Sequence, residues 1–465
     1  MTLQELRIQH PCFHYRSFAY ALKGEILQLD FVFELEPDII FQPRTFIHGL
    51  DITRFSTLRP QLLNHFIFHL GLLELLSYWK TACSPVIEIA SGVLDEAQIA
   101  WWQDLFLQGL GEFFYVNQID YTAPDFVRFK VLPHTRAYTE SDSTPQCFQG
   151  SLDAKRILVP VGGGRDSIVT LEFLKKTPHE LSAFLINPTQ AQRDVVQISE
   201  LTRQIIVERR LDSKLFDLNA AGYLNGHVPI SAYYAFYACF VAVLLGYKFV
   251  SISQERSSNE GTVDFYGLSV NHQYSKTFEF EEKFRKYFTS VLASDLEYFS
   301  LLRPLYSVQI SKIFANTPKY FPVFRSCNRG QKTNTWCGVC AKCLFTYASL
   351  FPFVSESVLQ SIFGADILSK SELRETALEL IGKRPAKPFE CVGTFEENKV
   401  VFFLCMQKFQ KSYADKPLPS VLGVVSAALV EETDMAQRAQ ALLSSWNTQH
   451  HVPEQFAELL HAFVE

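Results

Sequence analysis

From Glu25 to Leu35 the run EILQLDFVFEL sets Leu27, Leu29, Phe31, Phe33 and Leu35 at alternate positions, with Gln28, Asp30 and Glu34 between them. A period of two puts each set on its own face of a pleated chain, so the segment predicts a half-buried strand. From about Pro60 to Lys80 and from Asp95 to Leu110 the apolar positions recur at helical spacing, and FFYVNQI after them reads as strand again. Residues 1–152 therefore predict a mixed α+β domain.

The polar stretch YTESDSTPQCFQGSLDAK interrupts this pattern, and Ser/Thr/Asp/Pro clusters of that kind mark domain boundaries, here near Asp153. Beyond it strand and helix patterns alternate: RILVPV, a glycine loop, SIVTLEFLKK, LSAFLIN, then the apolar helix AYYAFYACFVAVLLG and KFVSIS. Alternation of this kind implies an α/β domain with a doubly wound parallel sheet, over residues 153–350. From residue 351 to 465 the pattern is mostly helical. Ser371 is the expected N-cap and Gly382 the expected stop of SELRETALELIG, KPFECVGTFEENKVVFFLC reads as a turn leading into a strand or a buried helix, and Val421–Glu465 is helical in pattern.

Length and composition fit this division. The chain has 465 residues, 48% of them hydrophobic and 20% charged, which is globular and enough for two or three packed domains. A net charge of −6 without a long Lys/Arg run argues against nucleic acid as a partner. The most apolar stretch, Phe66–Trp79, contains His69 and Glu74 and falls short of the roughly 20 residues a bilayer requires. No basic leader with an apolar stretch opens the chain, so a cytoplasmic protein with no membrane partner is expected. His65 and His69, one helical turn apart, read as packing or surface groups. The ten cysteines suit no disulfide framework in a chain of this size, which leaves their clustering to be explained otherwise.

Chemistry concentrates in three places. The first is ILVPVGGGRDSIVTLEFL, a buried strand pattern, then Gly162, Gly163, Gly164, Arg165, Asp166 and Ser167, then a helix. Glycines let backbone N–H groups close on an anion and the helix N-terminus adds partial positive charge, so the loop predicts a phosphate cradle. It lacks the lysine of the Walker loop and the last glycine of the dinucleotide fingerprint. The second is Cys327, Cys337, Cys340 and Cys343, a Cys-x9-Cys-x2-Cys-x2-Cys cluster suited to a closed structural Zn²⁺ site, with an iron–sulfur cluster or a redox pair as alternatives. The third follows KFVSIS, where Glu255, Arg256, Asn259 and Glu260 are candidates for binding a polar ligand. His272, Tyr274 and Lys276 are candidates for acid–base work, as is Cys391 of PFECVGT beside Glu390.

Strand, GGGRDS and helix resemble the SGGxDS loop of the PP-loop ATP pyrophosphatases of the adenine nucleotide alpha-hydrolase-like fold. Gly162 stands where that family usually has serine. The resemblance implies that the loop holds ATP, that Arg165 offsets the missing hydroxyl with charge, and that Asp166 helps to hold Mg²⁺. A similar cysteine cluster follows the loop in the zinc-bearing 7-cyano-7-deazaguanine synthases. Together GGGRDSIVTLE, SQERSSNEGTVDFYGLSVNHQYSKTFEFE, the cysteine cluster and KPFECVGTFEE resemble the MurL-type epimerases, over most of the chain.

That likeness implies an ATP-dependent amino-acid epimerase of peptidoglycan synthesis. Its substrate would be a small nucleotide-sugar peptide, UDP-N-acetylmuramoyl-L-alanyl-L-glutamate, whose terminal glutamate is adenylated, exchanges its α-proton and is released with AMP and diphosphate. The alternative enzyme is an amide or nitrile ligase like the deazaguanine synthases. A tRNA-modifying protein, or a relic that keeps fold and zinc without ATP turnover, are the remaining classes.

Overall fold

The computed structural model describes residues 1–55, 58–133 and 147–464. The polar boundary segment lies outside the described residues up to residue 146. Eleven strands form one sheet: β1 (Cys12–Lys23), β2 (Ile26–Leu35), β3 (Ile39–Phe41), β4 (Arg44–His48), β5 (Val86–Ile89), β6 (Arg128–Val131), β7 (Asp153–Pro160), β8 (Glu180–Ile186), β9 (Gln204–Arg210), β10 (Tyr247–Ile252) and one further strand, Glu297–Ser300. A separate hairpin, β11 (Val263–Phe265) and β12 (Leu268–Val270), stands apart, so Glu297–Ser300 is β13.

The sheet order is β13-β10-β7-β8-β9-β4-β2-β1-β5-β6, with β3 also on β2. The run from β13 to β9 is parallel throughout. β4 then pairs antiparallel with β9, Ile47 opposite Val207, and carries the sheet without a break into the antiparallel β4, β2 and β1. The expected N-terminal strand is β2, whose inward and outward positions alternate as its sequence does.

The N-terminal segment and the parallel segment thus share one sheet. They also share one core, in which the helices Pro60–Trp79 and Ile230–Leu245 are buried together. The wall-to-wall apolar character of both helices follows from that position between layers. His65 and His69 are packing groups in it: His69 Nε2 lies 2.9 Å from the Tyr287 hydroxyl and its Nδ1 2.9 Å from the His65 carbonyl. Glu74 is buried there too, paired by Arg209 through two contacts of 2.6 Å.

Local signals elsewhere in the chain resolve differently from one another. FFYVNQI is not a strand: Gly111–Val116 is helical, with Phe113 and Phe114 both buried and Phe114 stacked on Tyr121. A short unbroken apolar run carries no period, so packing decided it. Ser371 opens a 3₁₀ turn, Ser371–Leu373, and the helix itself runs from Arg374 to Leu380 before Gly382 at φ 77°. Thr394 and Glu397 form a reciprocal capping box that makes Phe395–Ser412 a helix. The helices from Ala341 onward pack with the far face of the parallel strands in a second core. Among the described residues no helix is long and apolar enough to cross a membrane.

Candidate active site and cysteine cluster

β7 sits in the middle of the parallel run, with the chain winding toward β8 and β9 on one side and toward β10 and β13 on the other. A crevice opens at the C-terminal ends of strands where the winding direction reverses. There Pro160, Ile186, Asn187, Arg209, Ile252, Ser253 and Gln254 line a cavity of about 490 Å³. That volume lies within the range of small-ligand sites.

The glycine loop forms the floor. Gly163 takes φ 76°, and a Cβ there would stand 3.0 Å from the Gln192 backbone nitrogen, so only glycine fits. Gly162 faces open space. Gly164 is the N-cap of helix Arg165–Leu174 and offers no side chain to it, which leaves the first N–H groups of the helix for an outside acceptor. Gly162, Gly164, Asp166 and Ser167 all line the cavity.

Arg165 turns the other way. Its guanidinium is buried, contacting the hydroxyls of Ser307, Ser311 and Ser349, and its Nε donates to Asp166 Oδ1 at 2.9 Å. Burial works to raise the Asp166 carboxyl, but Arg165 and then Lys342 outweigh it and hold it below the usual carboxylate range. Arg165 therefore acts on the cavity through Asp166 rather than on a ligand.

The acid–base candidates divide. His272, Lys276 and Cys391 line the same cavity as the loop, although Cys391 comes from far along the chain. Lys276 Nζ lies 3.2 Å from Cys391 Sγ, and Cys391 Sγ lies 3.5 Å from Gln273 Oε1. Tyr274 is not at the cavity wall: its hydroxyl donates to Asp104 at 3.1 Å and receives Lys283 at 3.0 Å, while burial pushes the phenol up. His272 Nδ1 lies 2.6 Å from Glu112 Oε2, and the same oxygen stands 3.3 Å from His227 Nδ1.

Of the polar-ligand candidates, Glu255 and Glu260 line a small adjoining cavity of about 30 Å³, with His272, Lys276 and Cys391 on its wall as well. Glu260 is paired there with Lys387 at 2.9 Å. Arg256 and Asn259 line neither cavity. Arg256 donates to Ser445 and lies over the Tyr306 ring, and Asn259 Oδ1 accepts the Phe278 N–H.

The four candidate metal cysteines converge. Their sulfurs all lie within 4.8 Å of one another, with contacts of 3.9 Å for Cys327–Cys340, 3.7 Å for Cys337–Cys343 and 3.5 Å for Cys340–Cys343. Four sulfurs at ~2.3 Å from a tetrahedral Zn²⁺ stand about 3.8 Å apart, so the geometry fits that ion. Backbone N–H groups of Gly330, Gly338 and Cys343 point at three of the sulfurs, at 3.3–3.4 Å, as charge-bearing thiolates require. The ion would tie the loop of Cys327 to the start of helix Ala341–Leu350.

Several groups had no signal in the sequence. Glu112, which meets His272, lies in an apolar helix. Among the cavity-lining groups, Asn187 follows β8, Gln192 lies in helix Gln190–Ser199 and Arg209 lies within β9, at positions periodicity does not single out. Lys342 had one: it stands inside the cysteine motif, between Cys340 and Cys343.

Two family descriptions match the chain, the MurL N-terminal domain over residues 4–301 and the MurL C-terminal domain over residues 323–441. A protein of Micromonospora, named UDP-N-acetyl-alpha-D-muramoyl-L-alanyl-L-glutamate epimerase, is 34% identical over 391 residues, 83% of each chain. Proteins of the same name from Salinispora tropica and Xanthomonas oryzae pv. oryzae are 32% identical over 396 residues and 34% over 336. These spans cover 84% and 71% of this chain, and 82% and 72% of theirs. No solved structure matches the chain significantly.

Proposed function

The chain belongs to the MurL family and is an epimerase, and from that premise we propose that it inverts the terminal glutamate of UDP-N-acetylmuramoyl-L-alanyl-L-glutamate at the expense of ATP. One observation carries the reading: a single cavity is lined both by the Gly162–Ser167 loop and by His272, Lys276 and Cys391. A phosphate cradle and proton-exchanging groups are thus within reach of one substrate. The parallel run with a glycine loop after its central strand supports a PP-loop core. The matched relatives are named as epimerases, and nothing favours the ligase alternative.

The chemistry needs both parts. Removing the α-proton from a free carboxylate would create a dianion, whereas a mixed anhydride with AMP cancels that charge and withdraws electrons from Cα. The α-carboxylate attacks the α-phosphorus of ATP, diphosphate leaves, and the loop N–H groups with the helix terminus hold the phosphate oxygens. Asp166 would hold Mg²⁺, which supplies charge to the leaving diphosphate. The α-proton is then exchanged within the cavity, and water cleaves the anhydride to the D-glutamyl product and AMP. The cysteine cluster would hold zinc as a structural clamp, with all four positions filled by sulfur.

The test is incubation with ATP, Mg²⁺ and the L-glutamyl nucleotide in deuterated water. AMP release, deuterium at the glutamate Cα and a D-configured product are expected together. Inversion without AMP would overturn the adenylation step.

A further inference from the structure

Any epimerisation by proton exchange has to take a proton from one face of Cα and return one to the other, so the groups at the cavity wall can be asked which of them are free to do so. Tyr274 is not, because its hydroxyl is committed to Asp104 and Lys283 away from the cavity. Lys276 is fixed beside Cys391, its Nζ 3.2 Å from Sγ. Burial alone would lower this ammonium, but Cys391, Glu255 and Asp166 around it outweigh burial and keep it protonated. Lys276 Nζ donates to Sγ, so negative charge on that sulfur is met by a fixed positive one.

The second group is His272. Glu112, from the N-terminal part of the chain, holds its Nδ1 at 2.6 Å, which fixes the tautomer and leaves Nε2 as the exchanging atom. Nε2 is buried and has no hydrogen-bond partner among the described residues. The side chain lies on the wall of both cavities, as Cys391 does.

We propose that Cys391 and His272 are the two groups that exchange the α-proton, with Lys276 and Glu112 as their positioning residues. This rests on the adenylation reading above. In one direction the Cys391 thiolate takes the proton and becomes a thiol, while the Cα–H electron pair moves into the acyl carbonyl. The His272 imidazolium then gives its Nε2 proton to the other face of Cα and becomes neutral. The reverse direction starts from that thiol and neutral imidazole, and one proton passed from thiol to imidazole through solvent restores the first state.

The experiment uses Cys391→Ala and His272→Asn in the full chain, with ATP, Mg²⁺ and the L- and D-glutamyl nucleotides separately, in deuterated water. Epimerisation is expected to fall roughly 100-fold or more in both. AMP release should persist in each, which shows a folded, adenylating enzyme. Each variant should still exchange the α-proton of one epimer and not of the other, with the two variants opposite. Epimerisation within about threefold of wild type, or loss of exchange from the same epimer in both, overturns the pair. Wild-type enzyme that inverts without AMP overturns the adenylation reading instead, a distinct result. Glu112→Gln should lower kcat with KM unchanged and reproduce the His272→Asn exchange pattern, and Glu112→Asp should restore part of the rate. A Glu112→Gln variant that epimerises at the wild-type rate overturns that role.

Discussion

Lys342 holds Cys391 from the cysteine cluster: its Nζ donates to the Cys391 carbonyl, and its backbone N–H donates to the neighbouring Glu390 carboxylate at 2.5 Å. Lys342 itself lies between Cys340 and Cys343 at the start of helix Ala341–Leu350. The cluster therefore sets the position of a cavity residue nearly fifty positions further along the chain.

Loss of the zinc proposed for the cluster should then act on the reaction as well as on the fold. Cys337→Ser is expected to lower bound zinc and with it activity, by about 100-fold. Lys342→Met should keep its zinc, measured by elemental analysis, yet lose kcat roughly tenfold or more because Cys391 is no longer held.

The glycine loop makes opposite demands at adjacent positions. A side chain at Gly162 meets nothing within 4 Å, whereas Gly163 has φ 76° and the Gln192 nitrogen beside it. Gly162→Ser should fold with a thermal midpoint at or slightly above wild type, about 0.5 kcal/mol more stable, and keep ATP turnover. Gly163→Ala should be destabilised by about 1–3 kcal/mol and lose turnover, as read by denaturant melts and AMP release.

Arg165 and Asp166 are neighbours in sequence with separate duties. Asp166→Asn removes the charge that faces the cavity, so AMP release should fall by about 100-fold. Arg165→Met leaves Asp166, Ser307, Ser311 and Ser349 without their buried cation, and is expected to cost about 3 kcal/mol in urea unfolding.

His227 makes stability pH-dependent. Burial, with His272, Lys80 and Lys276 nearby, lowers the imidazole to about 4 despite Glu112 at 3.3 Å. In the unfolded chain a histidine takes its proton near pH 6.5, so between pH 6.5 and 4 the unfolded state binds more protons and stability falls as pH falls. His227→Gln should remove about 2 kcal/mol of this acid-side loss, measured as the difference between urea unfolding at pH 7 and at pH 4.5.

Much of the parallel unit was legible because its cues are local. The strand patterns that fall on β7, β8 and β10 and the glycine loop each depend on a few consecutive residues whose period or backbone freedom is visible in the letters. The cysteine spacing was legible for the same reason. FFYVNQI was not, since a short apolar run is compatible with helix or strand until something packs on it.

By itself the sequence determined the glycine loop, the four clustered thiols and the alternation of strand and helix, because steric freedom, thiol chemistry and hydrophobic period are properties of neighbouring residues. Tertiary structure alone decided that β4 pairs with β9 to make one sheet, that Arg165 points into the interior, and that Glu74 finds Arg209. It also decided that Glu112 meets His272 and Lys276 meets Cys391. Those partners are separated by more than a hundred positions, and only the packing of buried charge against its nearest complement brings them together.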